Sequence, residues 1–381
     1  MRIGFDITQT CGKKTGCGYM AYSLICALAE IDPINEYRLF TSFGEYYWDP
    51  KCSTKDCGIK RQNLQAVFKH SIYKDVYDFW RDPPQDFEKI LGNPDIIHSN
   101  NYYCPTSLKS ARLVYTLHDL GFVYAPEWTT EINRSLCFQG VFNASLYADL
   151  IIAVSNFTRM QFLELFPHFP KEKIVVVYEG SRFFFKRRRI KCRSHKLKGI
   201  QVGRYWLNVG TIEPRKNLKG LLQAYSVLVQ QTGSDMPLIH VGSKGWDMDD
   251  LGRIVNELGL SDRVIFLDYL GDNELQWLYE NCFSFVYPSF YEGFGLPVLE
   301  AMSLGAPVIT SNTTSLREVA GSACYLINPE RVDEIAQAMI NMYKNNIERE
   351  KLKTLGLQQA GQFSWIKSAR ELLNLYRNLC V

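Results

Sequence analysis

Short, uninterrupted apolar runs alternate with longer segments of helical period along most of the chain. In the first half the runs fall at 2–7, 95–98, 112–117, 149–154 and 173–178. Between them, apolar positions three and four apart mark helices at 19–31, 129–146 and 156–166. In the second half, runs at 205–209, 237–241, 263–267, 283–287, 307–310 and 323–327 alternate with helical patterns at 218–231, 249–258, 273–281, 297–304 and 332–344. Runs that lack polar alternation are those of strands buried on both faces, and strands separated by helices pair in parallel. The expectation is an α/β chain with two Rossmann-like domains. An amphipathic helix over 363–377, with Ser364 at its N-cap, closes the chain.

The alternation breaks at 181–203, where Lys186-Arg-Arg-Arg-Ile-Lys-Cys-Arg-Ser-His-Lys-Leu-Lys198 carries charge without period. The expected division is therefore 1–182 as the first domain, 183–203 as a basic linker, 204–363 as the second domain and 364–381 as the final helix. A length of 381 residues exceeds one ordinary core and agrees with two domains. Composition narrows the function classes. Hydrophobic residues make up 46% and charged residues 22%, as in soluble globular proteins. A net charge of +3 gives no whole-chain case for nucleic acid. No apolar run reaches the ~18 residues of a membrane span, and Met1-Arg-Ile-Gly-Phe-Asp6 reads as a strand, not a signal peptide. With eleven cysteines and no leader, the expectation is reduced thiols in a cytoplasmic protein. Neither Cys11 with Cys17 nor Cys52 with Cys57 has zinc-site spacing, so no metal is expected. The basic run 186–198 reads as a solvated linker, with peripheral membrane contact as its functional alternative. A homodimer is left open.

The chemistry concentrates in Tyr287-Pro-Ser-Phe-Tyr-Glu-Gly-Phe-Gly-Leu-Pro-Val-Leu-Glu-Ala-Met302. Glu292 and Glu300 flank a glycine-rich turn that opens a helix. A helix N-terminus attracts a diphosphate, and carboxylates accept hydrogen bonds from sugar hydroxyls. Gly293 and Gly295 let the backbone approach a ligand closely. Pro297 suits the first helical position, and Gly305 the helix end. A second segment, Leu207-Asn-Val-Gly-Thr-Ile-Glu-Pro-Arg-Lys-Asn-Leu218, leaves a strand and carries Arg215 and Lys216 just before a helix capped by Asn217. Two cations there would compensate charge building on a diphosphate leaving group. Glu213 is a secondary candidate, to orient Arg215 or Lys216 or to touch acceptor hydroxyls. A third segment, Thr116-Leu-His-Asp-Leu-Gly-Phe122, puts His118 and Asp119 at a strand end. Asp119 is a candidate to accept a proton or to fix the histidine tautomer. His98, at the end of another strand, has a similar location and a weaker claim. Gly16-Cys-Gly-Tyr-Met-Ala21 fits a dinucleotide fingerprint, but too many residues separate it from the first strand. Gly16 and Gly18 are therefore read as a flexible loop before a helix.

The Glu292 to Glu300 segment resembles the donor-site signature of retaining glycosyltransferases of family 4, which have the GT-B architecture. The resemblance covers nearly the whole chain and is most specific from Leu207 to Gly321. It implies two Rossmann-like domains whose parallel sheets face each other across a cleft, with the last helix crossing back to the first domain. It implies Glu292 against the transferred sugar and Glu300 on the ribose. The turn Gly293, Phe294, Gly295 and Leu296 would face the sugar and the phosphates. Lys216 matches the family lysine that binds the diphosphate. The family arginine after the first glycine is here Thr211, which leaves Arg215 as the candidate second cation. The resemblance places His118 near the donor sugar, Asp119 on the acceptor side, and Gly16 and Gly18 near the sugar and phosphates.

The activity implied is hexose transfer from a nucleotide diphosphate sugar to a hydroxyl of a glycan or glycoconjugate, with retention and without a metal. GDP-mannose is the first choice of donor; UDP- and ADP-sugars stay open. The alternatives are a GT-B epimerase or phosphorylase, a nicotinamide oxidoreductase and a non-catalytic nucleotide-sugar binder.

Overall fold

The structure, a computed structural model, describes residues 1–8, 10, 14–41, 62–67, 83–100, 103–106, 108–183, 194–245 and 251–380. The chain divides into two compact units, Met1–Glu179 with Ser364–Val381, and Gly180–Phe363. Most of the basic run 186–198 lies outside the described residues, as do Cys11, Cys52 and Cys57.

The first unit runs β1 (Arg2–Asp6), α1 (Gly16–Ile31), β2 (Glu36–Phe40), β3 (Leu64–Ala66), α2 (Phe87–Ile90), β4 (Ile96–Ser99), β5 (Arg112–Leu117), α3 (Gly121–Tyr124), α4 (Glu131–Tyr147), β6 (Leu150–Ala153), α5 (Asn156–Leu165) and β7 (Ile174–Val176). Its described strands form one parallel sheet in the order β3-β2-β1-β4-β5-β6-β7. The second unit runs β8 (Trp206–Val209), α6 (Leu218–Thr232), β9 (Leu238–Val241), α7 (Leu251–Glu257), β10 (Val264–Leu267), α8 (Asp272–Asn281), β11 (Ser284–Tyr287), α9 (Leu296–Ser303), β12 (Val308–Ser311), α10 (Thr314–Ala320), β13 (Tyr325–Ile327), α11 (Val332–Lys344) and α12 (Asn346–Ala360). Its parallel sheet has the order β10-β9-β8-β11-β12-β13. The last helix, α13 (Trp365–Leu379), belongs to the first unit and packs along α1.

Both sheets are the doubly wound arrangement expected from the apolar runs. In each, the chain winds outward from a first strand and then restarts on that strand's other side. Loops leaving the two central strands therefore diverge, and the crevice they open at the strand C-termini is where such sheets bind ligands. In the second unit that point lies between β8 and β11, which pair through Ser284–Trp206 and Phe285–Leu207. In the first unit it lies between β1 and β4, paired from Ile3–Ile96 to Phe5–His98.

Some elements differ from expectation. β2 and β3 were not foreseen: Glu36 and Arg38 interrupt the apolar run of β2, because it lies near the sheet edge, where only Tyr37, Leu39 and Phe40 need burial. Gly16 and Gly18 stand in the first turn of α1, not in a loop before it. α9 begins at Leu296, so Pro297 takes its second position, where an N–H still has no helical acceptor. Gly305 ends α9 with φ 79°, and its N–H and that of Ala306 donate to Met302 O and Ala301 O, closing the helix end. Ser364 stands at the N-cap of α13, although its side chain makes no capping hydrogen bond.

Where β8 and β9 end, their chains approach too closely for any side chain. A Cβ at Gly242 would lie 1.8 Å from the Gly210 carbonyl oxygen, whereas one at Gly252, on α7, would meet nothing within 4 Å. Gly242→Ala is expected to destabilise the protein by about 2 kcal/mol or more through this clash. Gly252→Ala should be neutral or stabilise by about 0.5 kcal/mol. Denaturant midpoints of the two variants against wild type check the contrast.

Candidate active site

Two loops leave the C-terminal ends of β8 and β11 and are stitched together. The Arg215 carbonyl accepts from the Phe290 N–H at 2.8 Å and from Ser289 Oγ at 2.9 Å. Asn217, in the left-handed conformation (φ 53°), caps α6 by accepting from the Gly220 N–H at 3.2 Å. Its amide nitrogen donates to Pro288 O at 3.1 Å and Pro329 O at 2.7 Å. One asparagine thus starts a helix and ties down the partner loop.

This stitching brings the predicted charges together. Glu292 is buried and accepts from Arg215 Nη1 at 2.8 Å, Lys216 Nζ at 2.6 Å, Tyr287 Oη at 2.8 Å and Ser289 Oγ at 2.7 Å. Burial by itself would raise its pKa, but the charges of Arg215 and Lys216, with the hydrogen bonds, hold it at about 2. Glu213, also buried, meets Arg215 Nη2 at 2.7 Å. Burial and the Arg215 charge push the Lys216 ammonium down, and the two acids pull it back up. Lys216 also donates to Tyr287 Oη at 2.6 Å. Tyr287 and Ser289 lie in the quoted motif, yet nothing in their spacing announced that they complete the coordination of Glu292.

Glu300, buried on α9, pairs with Arg182 at 2.8 Å, and Arg182 also reaches Asp272 at 3.2 Å. Burial raises the Glu300 pKa; Arg182 opposes the rise and Asp272 adds to it. Arg182 was missed because it sits at the edge of the charged segment read as linker. Between the two acids, Gly295 holds φ 106°, and a Cβ there would lie 2.6 Å from Leu316 Cδ2. Gly293 is buried, and Phe294 is buried against Phe363 with ring centroids 5.8 Å apart. Ser315 Oγ donates to Glu292 O at 2.8 Å and Phe294 O at 3.0 Å, which fixes the turn that leads into Leu296. Thr211 is half-buried at the Gly210–Gly242 approach.

In the first unit, His118 and Asp119 follow β5. His118 Nε2 faces the Asn100 carbonyl at 2.8 Å. Asp119 Oδ1 accepts from the Gly121 N–H at 2.9 Å, which organises the start of α3. The group opposite His118 Nε2 is thus a backbone carbonyl, and the described contact of Asp119 is a turn. His98 is fully buried and bonded through both ring nitrogens. Among the described residues no group of three His, Cys, Asp or Glu is placed to hold a metal ion, and no helix is long and apolar enough to cross a membrane.

Comparison with known proteins decides the family. The family model for glycosyl transferases group 1 matches residues 196–359, and that for Glycosyltransferase Family 4 matches 53–181. The O-antigen chain mannosyltransferase B of Escherichia coli is 38% identical over 386 residues, covering 100% of both chains. The chain belongs to glycosyltransferase family 4. The O-antigen chain mannosyltransferase RfbU of Salmonella typhimurium is 26% identical over 63% of this chain and 62% of its own. Among solved structures, sucrose-phosphate synthase from Thermosynechococcus elongatus superposes with a TM-score of 0.77 at 18% identity, covering 99% of this chain and 98% of that one. WaaG, a glycosyltransferase involved in lipopolysaccharide biosynthesis, gives 0.71 at 14% identity over 98% and 99%. The fold of this family 4 enzyme is GT-B, and its activity is glycosyl transfer.

The pKa of Glu292 falls on folding from its ordinary 4.5 to about 2. Its charge therefore stabilises the glycosyltransferase above pH 4.5, and that contribution drains away as pH falls towards 2. Glu292→Gln is expected to cost about 3 kcal/mol at neutral pH by stranding buried cations. The gap to wild type should narrow below pH 4.5. Denaturant titrations of both proteins across this range measure it; a gap independent of pH would contradict the assignment.

Proposed function

We propose that this enzyme transfers mannose from GDP-mannose to a hydroxyl of a glycan or glycoconjugate, with retention of the anomeric configuration. The observation that carries the reading is the joining of Arg215, Lys216 and Glu292 at the strand reversal of the second unit, beside the glycine-opened N-terminus of α9. A diphosphate suits this mouth, because the first helical N–H groups lack acceptors within the helix and favour an anion. Lys216 has three N–H donors, of which Glu292 and Tyr287 take two, so one is left for a phosphate oxygen. Since Glu292 already holds the cations, little reorganisation is needed as charge builds on the leaving group. Glu300 would accept from the ribose hydroxyls, with Arg182 sustaining its charge.

Glu292 is poorly suited to be a nucleophile or base. A carboxylate with a pKa of about 2, bound by four donors, has little affinity for a proton or a carbon centre. Its role in this reading is to orient the sugar and the cations. That agrees with attack on the donor face from which the diphosphate departs, a donor phosphate oxygen taking the acceptor proton. No protein nucleophile and no metal enter this scheme. His118 and the acceptor belong to the first unit. The choice of mannose leans on the end-to-end relative, whose printed name is a mannosyltransferase.

Calorimetric titration with GDP-mannose, UDP-glucose and ADP-glucose tests the donor; measurable affinity for GDP-mannose alone is the expected result. Glu300→Ala should weaken donor binding about tenfold, the loss of one charge-assisted hydrogen-bond pair. Lys216→Met should lower affinity and also cut turnover by about 100-fold. Unchanged donor affinity in both variants would overturn the site. An NMR spectrum of the first product should show the α-anomer.

A further inference from the structure

In the first unit, a line of hydrogen bonds, continued through the residue Asn100 itself, leads from the C-terminal helix α13 to His118. Tyr376 Oη bonds His98 Nδ1. His98 Nε2 lies 2.7 Å from Thr116 Oγ1. Thr116 Oγ1 donates to Asn100 Oδ1 at 2.9 Å. The Asn100 amide nitrogen donates to Asp6 O at 2.8 Å, and the Asn100 carbonyl faces His118 Nε2 at 2.8 Å. The line crosses the strand reversal, since Asp6 ends β1, His98 is on β4 and Thr116 is on β5.

The donors and acceptors admit one assignment. Thr116 has a single hydroxyl proton and spends it on Asn100, so it must accept from His98. His98 is then protonated at Nε2, and its Nδ1 accepts from the Tyr376 hydroxyl. Burial pushes its pKa down to about 3, with the His118 charge acting in the same direction, so His98 stays neutral. Asn100, held by its side chain at both β1 and β5, presents a fixed carbonyl. That carbonyl can only accept, so His118 must carry a proton on Nε2 and keep Nδ1 as its acceptor.

We propose that Tyr376, His98, Thr116 and Asn100 are positioning residues that hold His118 in its Nε2–H form, with Nδ1 left for a hydroxyl of the sugar or the acceptor. The inference rests on the assignment of His118 to the transfer site. The chain's final helix thereby sets the protonation geometry of a residue more than 250 positions earlier in sequence. A bland packing role for Tyr376 would need only its ring, which already meets His98 edge-on at 5.7 Å. It would not need a hydroxyl aimed at a histidine whose other nitrogen begins a relay.

Selective ¹⁵N-histidine labelling tests this, because the chain has only six histidines. Long-range ¹H–¹⁵N spectra of the full-length protein should show His98 and neutral His118 as Nε2–H tautomers. Tyr376→Phe and Thr116→Val should shift the His118 ring signals towards a tautomer mixture, while Thr116→Ser should leave them in place. Unchanged His118 signals in both disrupting variants, or His98 protonated at Nδ1, would overturn the proposal. This arm needs no substrate, so it stands apart from the choice of donor. With a donor that turns over, Tyr376→Phe should lower kcat about tenfold with the donor KM within about twofold. In a His118→Ala background the same change should cost less than about twofold. An equal loss in both backgrounds would mean that Tyr376 acts on the fold and not through His118. If Tyr376→Phe fails to fold, Thr116→Val carries both measurements.

Discussion

The second unit's site depends on burying one carboxylate between two cations. Removing Glu292 from water without partners would cost several kcal/mol, and the same is true of Lys216. Neither is tolerable alone. Together with Arg215 and Glu213 they form a set of two acids and two bases whose charges cancel. The cost is offset only because every oxygen of Glu292 is met by a donor at 2.6–2.8 Å. That coordination needs the loops after β8 and β11 side by side, and they are side by side because the strand order reverses there. Topology, loop stitching and charge burial are thus successive conditions for one arrangement. The consequence for catalysis is rigidity: cations fixed in advance do not have to be collected when the leaving group needs them.

Legibility followed burial. Strands covered on both faces, such as β8, β11 and β12, have no polar alternation and announce themselves. β2 escaped notice because its place one strand in from the sheet edge lets Glu36 and Arg38 face outward, where they pair with each other at 3.1 Å. α12 escaped because it buries only Leu352, Gly356 and Ala360 and so has almost no apolar stripe. α10 is short and opens on Thr314 at φ 56°, a conformation that no propensity rule assigns to a β-branched residue.

The same logic applies to the site. Glu292, Glu300, Arg215 and Lys216 were visible because charged residues in glycine- and proline-rich turns have no packing reason to be there. Their partners were not visible. Tyr287 and Ser289 look like ordinary strand-end residues, and only folding brings their hydroxyls onto Glu292. Arg182 precedes a run of basic residues, and in one dimension nothing separates it from them. The pairing with Glu300 spans more than 100 positions and is a product of folding alone. Asp119 illustrates the reverse case. Adjacency to His118 suggested a partner, but an aspartate two residues before a helical N–H bonds that N–H more cheaply, and Gly121 is where its oxygen goes.

His98 was ranked below His118, and the contrast between them is instructive. Both stand at the C-terminal ends of neighbouring strands, β4 and β5, and one dimension does not distinguish them. Burial does. A histidine with no exposure and both nitrogens bonded cannot reach a substrate, whereas in half-buried His118 the ring contact among the described residues is through Nε2, to a backbone carbonyl. Yet full burial is what makes His98 informative as a relay. In a low-dielectric interior each donor must find an acceptor, so the tautomer of His98 and the orientation of Thr116 pin the Asn100 side chain, and with it the carbonyl that faces His118. An exposed chain of the same residues would exchange partners with water and transmit nothing. The direction of the relay is set at its far end by the buried Tyr376 of α13, whose hydroxyl has one proton to give and meets His98 Nδ1.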